Sequence, residues 1–318
     1  MSNRAGGSSS FATAIANGLL RTSIVVSDNR MTLKHLITTP AVLLTIHLLC
    51  GVARAQAFLP EDNLAYPVQI VVPSGGGTGF FVRRDREVFL VTAMHVLFDL
   101  RTGQLRSRDA TLRALSKDVK EAAVTVIRVN AAQLQESKQI RTDAIRDVAV
   151  ARIATLARDG LNTTPGVVFV EKSKGAMVVA PFEYLSRYEG VNISSQIFMF
   201  GYPSIGLSDA PQIDRSRPLV RGGIVAGVNA ALKTIIIDAP VNHGNSGGPV
   251  VQLSPTNKLR IIGIATQYVP VPEDVLPLTP KDSFDSALPP SPTAVALGNS
   301  GYGVVASADA IIDLISTF

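Results

Sequence analysis

Residues 240–249 read P-V-N-H-G-N-S-G-G-P. One hydroxyl, Ser246, stands among three glycines and ahead of Pro249. Glycines at this density weaken regular structure and admit backbone turns closed to other residues. Pro249 disfavours a helix starting just behind the serine. The stretch reads as a sharp loop that presents one candidate nucleophile.

That reading decides between two folds. Gly244–Gly248 also satisfies G-x-S-x-G, the nucleophile elbow of α/β-hydrolases, in which a helix follows the serine and the histidine lies further along the chain. No histidine follows Ser246. The four histidines are at 35, 47, 95 and 243. The first two lie in an apolar leader. His243 shares the tight loop with Ser246, a poor place for a base that must face the hydroxyl across a cleft. His95 ends the run Phe89-Leu90-Val91-Thr92-Ala93-Met94-His95 and is the remaining base for a reactive serine. A base needs an orienting carboxylate. Asp147 opens the apolar run Asp147–Ile153, with Asp143 as a nearby rival less clearly tied to a strand. The order is then His95, Asp147, Ser246.

Working outward, short runs rich in Val, Ile and Phe alternate with turn signals, among them Val68–Val72, Val88–Thr92, Gln196–Phe200, Leu219–Val228, Thr234–Ile237 and Arg260–Ala265. Few exceed eight residues, which predicts an all-β barrel or sandwich. Helical patches are expected at Ala110–Lys120 and Ala308–Ser316. Residues 171–190 read as a linker between two β-halves, 58–170 and 191–318. Pro270–Pro292 reads as a long loop.

The 318 residues are 46% hydrophobic, enough for a sizeable core. The formal charge is +5, but residues 1–55 hold five cations against Asp28 and leave about +1 for the rest. A nucleic-acid partner is therefore not expected. Within the leader 1–57, residues 31–55 have the layout of a secretory signal peptide: M-T-L-K-H, then an apolar run, then A-R-A at 53–55. Met31 reads as an alternative start. The expected location is extracytoplasmic, secreted or periplasmic, with a membrane attachment only if the leader stays uncleaved. The single cysteine, Cys50, lies in this leader, so no disulfide, thiol nucleophile or cysteine-based zinc site is expected. No feature asks for a metal or other cofactor.

The ordered series G-T-G-F-F (77–81), L-V-T-A-M-H-V-L (90–97), D-V-A-V-A-R-I (147–153), G-Y-P (201–203), R-G-G-I-V-A-G (221–227), D-A-P-V-N-H-G-N-S-G-G-P-V (238–250), I-I-G-I-A-T (261–266) and G-Y-G-V-V-A (301–306) resembles a trypsin-like serine protease, specifically its HtrA/Deg-like bacterial branch. The resemblance implies two antiparallel six-stranded β-barrels, the first carrying His95 and Asp147, the second Ser246. It implies Ser246 as nucleophile, His95 as general base and acid, Asp147 as its orienter, and an oxyanion hole from the backbone N–H groups of Gly244 and Ser246. Polypeptides are the implied substrates.

Three departures stand out. Met94 occupies a position where the family has a small residue. Asn245 replaces the aspartate with which digestive enzymes capture a new N-terminus. The chain ends soon after the last expected strand, so no peptide-binding PDZ domain is expected. The primary pocket is expected at Pro240, Val241, Ala265 and Thr266, without an acidic floor, which suits a small or medium apolar residue. Two other readings stay open: a protease-fold protein that binds polypeptides without cutting them, and a different serine hydrolase such as an esterase.

Overall fold

The computed structural model describes Leu59 and residues 64–117, 124–158, 160–204, 212–253, 259–275 and 294–318. The leader, with Met31, Cys50 and the signal-peptide segment, lies outside them.

Sixteen strands make two sheets among the described residues. The first contains β1 (Pro67–Val72), β2 (Gly75–Arg84), β3 (Glu87–Ala93), β4 (Asp109–Leu115), β5 (Val124–Asn130), β6 (Ile140–Asp143), β7 (Val148–Ala157), β8 (Gly160–Thr163), β9 (Val167–Glu171) and β10 (Ala180–Pro181). Its main path runs β6-β7-β3-β2-β1-β4-β5-β9, with β8 on β7 and β10 on β2. The second contains β11 (Gln196–Gly201), β12 (Leu219–Asn229), β13 (Thr234–Asp238), β14 (Pro249–Leu253), β15 (Leu259–Val275) and β16 (Ala294–Ser307), closed in the order β11-β12-β13-β16-β15-β14. The double-barrel architecture is thus present. The second barrel has the expected six strands. The first sheet has ten, because short strands such as β6, β8 and β10 add to its edges. Residues 171–190 are more than a linker: Ala180–Pro181 pairs parallel to Val82–Arg83 of β2.

Three short helices complete the described elements of interest: α1 (Met94–Leu97), α2 (Ala131–Glu136) and α3 (Ala308–Ile315). The second expected helix is α3. The first is wrong: Asp109–Leu115 is strand β4. Ala110, Leu112 and Ala114 are buried while Asp109 and Arg113 are exposed, a period of two that fits a sheet with one wet face. Pairing with β1 and β5 on both sides overrides the helix preference of Ala, Leu and Arg.

The stretch from Pro270 also differs from expectation. Pro270–Val275 extends β15, and it pairs with Ala294–Asn299 of β16 as a two-stranded ribbon projecting past the barrel. No described strand pairs with the other side of β15 beyond its β14 partner at Ile264.

One core fills the first lobe around Phe80, Phe81, Phe89, Leu112 and Ile153 and continues into Phe200, Val251, Ile264 and the α3 residues Ile311 and Ile315. A second, from Ile197 to Val305, fills the closed barrel. Burying each such side chain contributes about 1.5–3 kcal/mol. Helix α3 straps the lobes together. Asp309 accepts from Tyr188 N–H at 2.6 Å and meets Lys233 Nζ at 3.2 Å, both outside the first sheet. Asp313 meets Arg146 Nη1 at 2.9 Å, just before β7. Among the described residues no helix is long and apolar enough to cross a membrane.

Candidate active site

Strand pairing brings the first two candidate residues together. Ala93 at the end of β3 stands opposite Val148 at the start of β7. The next residues of one strand therefore meet the residue before the other. Met94 N–H donates to the Asp147 carbonyl at 3.0 Å. His95 N–H donates to Asp147 Oδ1 at 2.9 Å, and His95 Nδ1 lies 2.6 Å from Asp147 Oδ2. An ionised carboxylate only accepts, so the imidazole proton belongs on Nδ1 and Nε2 is left as the acceptor. Asp147 adopts φ 56°, a left-handed conformation that Asp tolerates better than most residues. The Asp–His side chains are 18% and 27% exposed, dry enough to strengthen the pair and open enough to meet a substrate.

Asp143, the rival carboxylate, is committed elsewhere. It meets Arg146 Nε at 2.6 Å and accepts from Arg146 N–H at 2.9 Å. Arg146 in turn reaches Asp313 of α3. Burial works against its charge, but Asp313 and Asp143 outweigh burial and hold the guanidinium pKa above its ordinary value. The loop carrying Asp147 is thus braced from α3. Met94 does not dislodge its neighbour: its side chain is 5% exposed and packs in the first core.

Ser246 sits on the loop before β14. Gly247 N–H donates to Ala265 O at 2.7 Å, and Ala265 N–H donates to Gly248 O at 3.0 Å, so β15 grips the loop on one side. Ser246 Oγ donates to Thr266 O at 3.3 Å. No hydrogen bond joins it to His95 among the described residues. Gly244 and Gly247 have φ 91° and 84°. A Cβ on Gly244 would strike the Tyr202 carbonyl and stand 2.8 Å from Ser204 N; one on Gly247 would strike Thr78 O and Thr92 Oγ1. Asn245 N–H donates to Asn242 O at 3.0 Å. The N–H groups on either side, Gly244 and Ser246, have no acceptor among the described residues. Two donors a short distance apart and unspent are what a developing oxyanion needs.

His243 is exposed, its ring edge-on to Tyr268 with centroids 6.1 Å apart. Of the expected pocket residues, Pro240 is exposed, Val241 and Ala265 are in the second core at 1% and 0% exposure, and Thr266 is 7% exposed. Val241 and Ala265 therefore back the site from inside the barrel rather than line an open surface.

Sequence reasoning missed Thr78, which is fully buried. Its N–H donates to Ser246 O at 2.9 Å, its hydroxyl donates to Gly244 O at 2.6 Å and accepts from Tyr202 N–H at 2.9 Å. Thr92 Oγ1 donates to its carbonyl at 2.7 Å. Only the quoted G-T-G-F-F block hinted at it. Among the described residues, no three His, Asp or Glu side chains converge to hold a metal.

A family model described as a trypsin-like peptidase domain matches residues 77–264, over half of the chain. No curated protein matches it. Among solved structures, the inactive form of Rv3671c from M. tuberculosis H37Rv, as a serine-to-alanine mutant, is 15% identical, with a TM-score of 0.42 over 80% of this chain and 86% of that one. HtrA-type protease AlgW with a tripeptide is 16% identical, TM-score 0.43, over 81% of this chain and 63% of AlgW. Deg5 is 20% identical, TM-score 0.40, over 66% of this chain and 87% of Deg5.

Proposed function

The chain belongs to the family of trypsin-like peptidase domains, and on that premise we propose that it is a serine endopeptidase of the HtrA/Deg-like branch. The observation that carries the reading is the two-point grip of Asp147 on His95, through Nδ1 and the backbone N–H. In this reading Ser246 Oγ attacks the substrate carbonyl while His95 Nε2 takes its proton. Asp147 keeps the imidazole in the right tautomer and stabilises the imidazolium. The carbonyl oxygen becomes an oxyanion held by Gly244 and Ser246 N–H. His95 then returns the proton to the leaving amine, and the C–N bond breaks to leave an acyl-enzyme on Ser246. Water, deprotonated by His95, attacks the ester and releases the acid and Ser246.

The substrate is a polypeptide with a small or medium apolar residue before the cleaved bond, against Pro240 and Thr266, with Val241 and Ala265 behind them. The protein works outside the cytoplasm after removal of residues 31–55 as a signal peptide. N-terminal sequencing of the mature protein tests that cleavage; a mature chain that retains residues 31–55 overturns it, and one that retains residues 1–30 overturns Met31 as the start.

A second reading, a polypeptide-binding protein with little turnover, draws support from the Ser246 hydroxyl, which points to Thr266 O rather than to His95. The deciding experiment is mass spectrometry after incubation with a fluorophosphonate. A single adduct on Ser246, absent in His95→Ala, is the expected result. No adduct on folded protein would leave the binding reading in its place.

A further inference from the structure

Residues just after β11 and just before β12 border a cavity of about 170 Å³ beside β1. Its lining includes Gln69 of β1, Tyr202 and Ser204 just after β11, and Arg215 and Arg217 just before β12. Arg113 of β4 stands opposite Gln69 in the ladder, and its positive charge is felt at the Tyr202 phenol. Two arginines therefore line a small cavity of mixed polar and apolar character, and a third stands behind Gln69.

Among the described residues the acidic group beside Arg217 is Asp214, and it is largely spent. It accepts from Ser216 N–H at 2.9 Å and Ser216 Oγ at 2.6 Å, and its other oxygen stands 3.5 Å from Arg217 Nε. Arg215 is also engaged in an interaction of its own, but a guanidinium has five N–H donors, so each arginine keeps capacity for a further carboxylate. Burial pushes the Tyr202 phenol above its ordinary pKa, against the opposing pull of Arg113, so it stays a neutral hydroxyl.

The cavity backs directly onto the nucleophile loop. Ser204 N–H donates to His243 O at 2.8 Å. Gly244 packs so tightly on Tyr202 O and Ser204 that no side chain fits there. Ser246–Gly248 are gripped from β15, and His243–Gly244 from the residues just after β11. A peptide laid over Ser246 with one half along β15 sends its other half over Gly244 toward the cavity. Extended chain advances about 3.3–3.6 Å per residue, so the cavity is within reach of the first two or so residues beyond the scissile bond.

We propose that this cavity is the subsite for an acidic side chain on the leaving-group half of the substrate, its carboxylate taken by Arg215 and Arg217 with Arg113 adding charge. Arginine suits the task because its planar fork donates to both oxygens of a carboxylate. The inference rests on the peptidase reading and adds a substrate class to it.

The test is hydrolysis of C-terminally amidated peptides that share an apolar residue before the bond and carry Glu, Gln or Lys at the first and second positions after it. Wild type is expected to cleave the Glu peptides about tenfold faster than the Lys peptides, by kcat/KM. In Arg215→Gln/Arg217→Gln the Glu-to-Lys ratio is expected to fall to about two or less, with the loss of rate falling chiefly on the Glu peptides. The ratio is taken within each variant, so loss of folded protein cancels. About 1 M salt should lower the wild-type ratio. A wild-type ratio near one, or a ratio that survives the double substitution, overturns the subsite while peptide cleavage stands. A preference confined to peptides with a free C-terminal carboxylate overturns the side-chain assignment. No cleavage of any peptide together with no fluorophosphonate adduct at Ser246 overturns the peptidase reading, and this inference with it.

Discussion

The hydroxyl of Thr78 donates a 2.6 Å hydrogen bond to the carbonyl of Gly244, 166 positions away in the chain. Through it the first lobe fixes the peptide unit beside the candidate oxyanion donor, Gly244 N–H, in the second. Thr78→Val keeps the shape and removes the bond, leaving Gly244 O and Tyr202 N–H without that partner. We expect kcat to fall about tenfold or more with KM nearly unchanged. Fluorophosphonate labelling of Ser246 should slow in step, and Thr78→Ser should restore both. Steady-state rates equal to wild type in Thr78→Val would contradict a positioning role.

Asp147→Asn should preserve the fold, since Asn also tolerates the left-handed conformation at this site. Its amide can keep the bond from His95 N–H but presents the wrong partner to Nδ1. Turnover is expected to drop about 10³–10⁴-fold. Thermal unfolding recorded beside the rate separates chemistry from stability; a large drop in melting temperature would reassign the loss.

Gly247→Ala places a methyl against Thr78 O and Thr92 Oγ1 at φ 84°. A destabilisation of about 2–4 kcal/mol is expected, measured by denaturant unfolding. Gly222→Ala is the control: its added Cβ meets only Phe198, at 4.0 Å, and stability should move by about 0.5 kcal/mol or less.

Asp309 predicts an acid limit to stability. Burial acts to raise its carboxyl pKa, but the Tyr188 N–H, Lys233 and Ser307 together outweigh burial and leave it below the ordinary value. A group with a depressed folded pKa stabilises the fold above its unfolded pKa and loses that contribution as pH falls through the folded value. Stability should therefore hold from neutral pH to about pH 4 and fall below it. Asp309→Asn should lower stability at pH 7 by about 1–3 kcal/mol and flatten the acid limb. An acid limb of unchanged depth in the variant would assign it to other carboxylates.

Much of the site was legible because its parts are local. His95 ends a strand, Asp147 begins one, and the serine loop is dense with glycine; each leaves its mark within a few residues. Elimination did the rest, since His243 lies too near Ser246 and Asp143 lacks the strand mouth. What stayed hidden is set by contacts far along the chain. Thr78 looks like any small polar residue until Gly244 is folded against it. Residues 109–115 carry helix formers, and only their two ladder partners make them a strand. The cavity by Tyr202 draws on β1 and on residues just after β11 and just before β12, which no window of sequence contains together.

The ribbon beyond the second barrel bears on how these molecules behave in a crowd. A strand that no other described strand covers on one side is open to pairing with a neighbouring molecule, and ladders begun that way grow into fibres. The exposed tip of β15 reads Pro270-Val271-Pro272-Glu273-Asp274-Val275. Two prolines remove two N–H donors from it, and two carboxylates repel an identical tip. The prolines and carboxylates of this tip thus oppose strand addition by an identical molecule at high concentration.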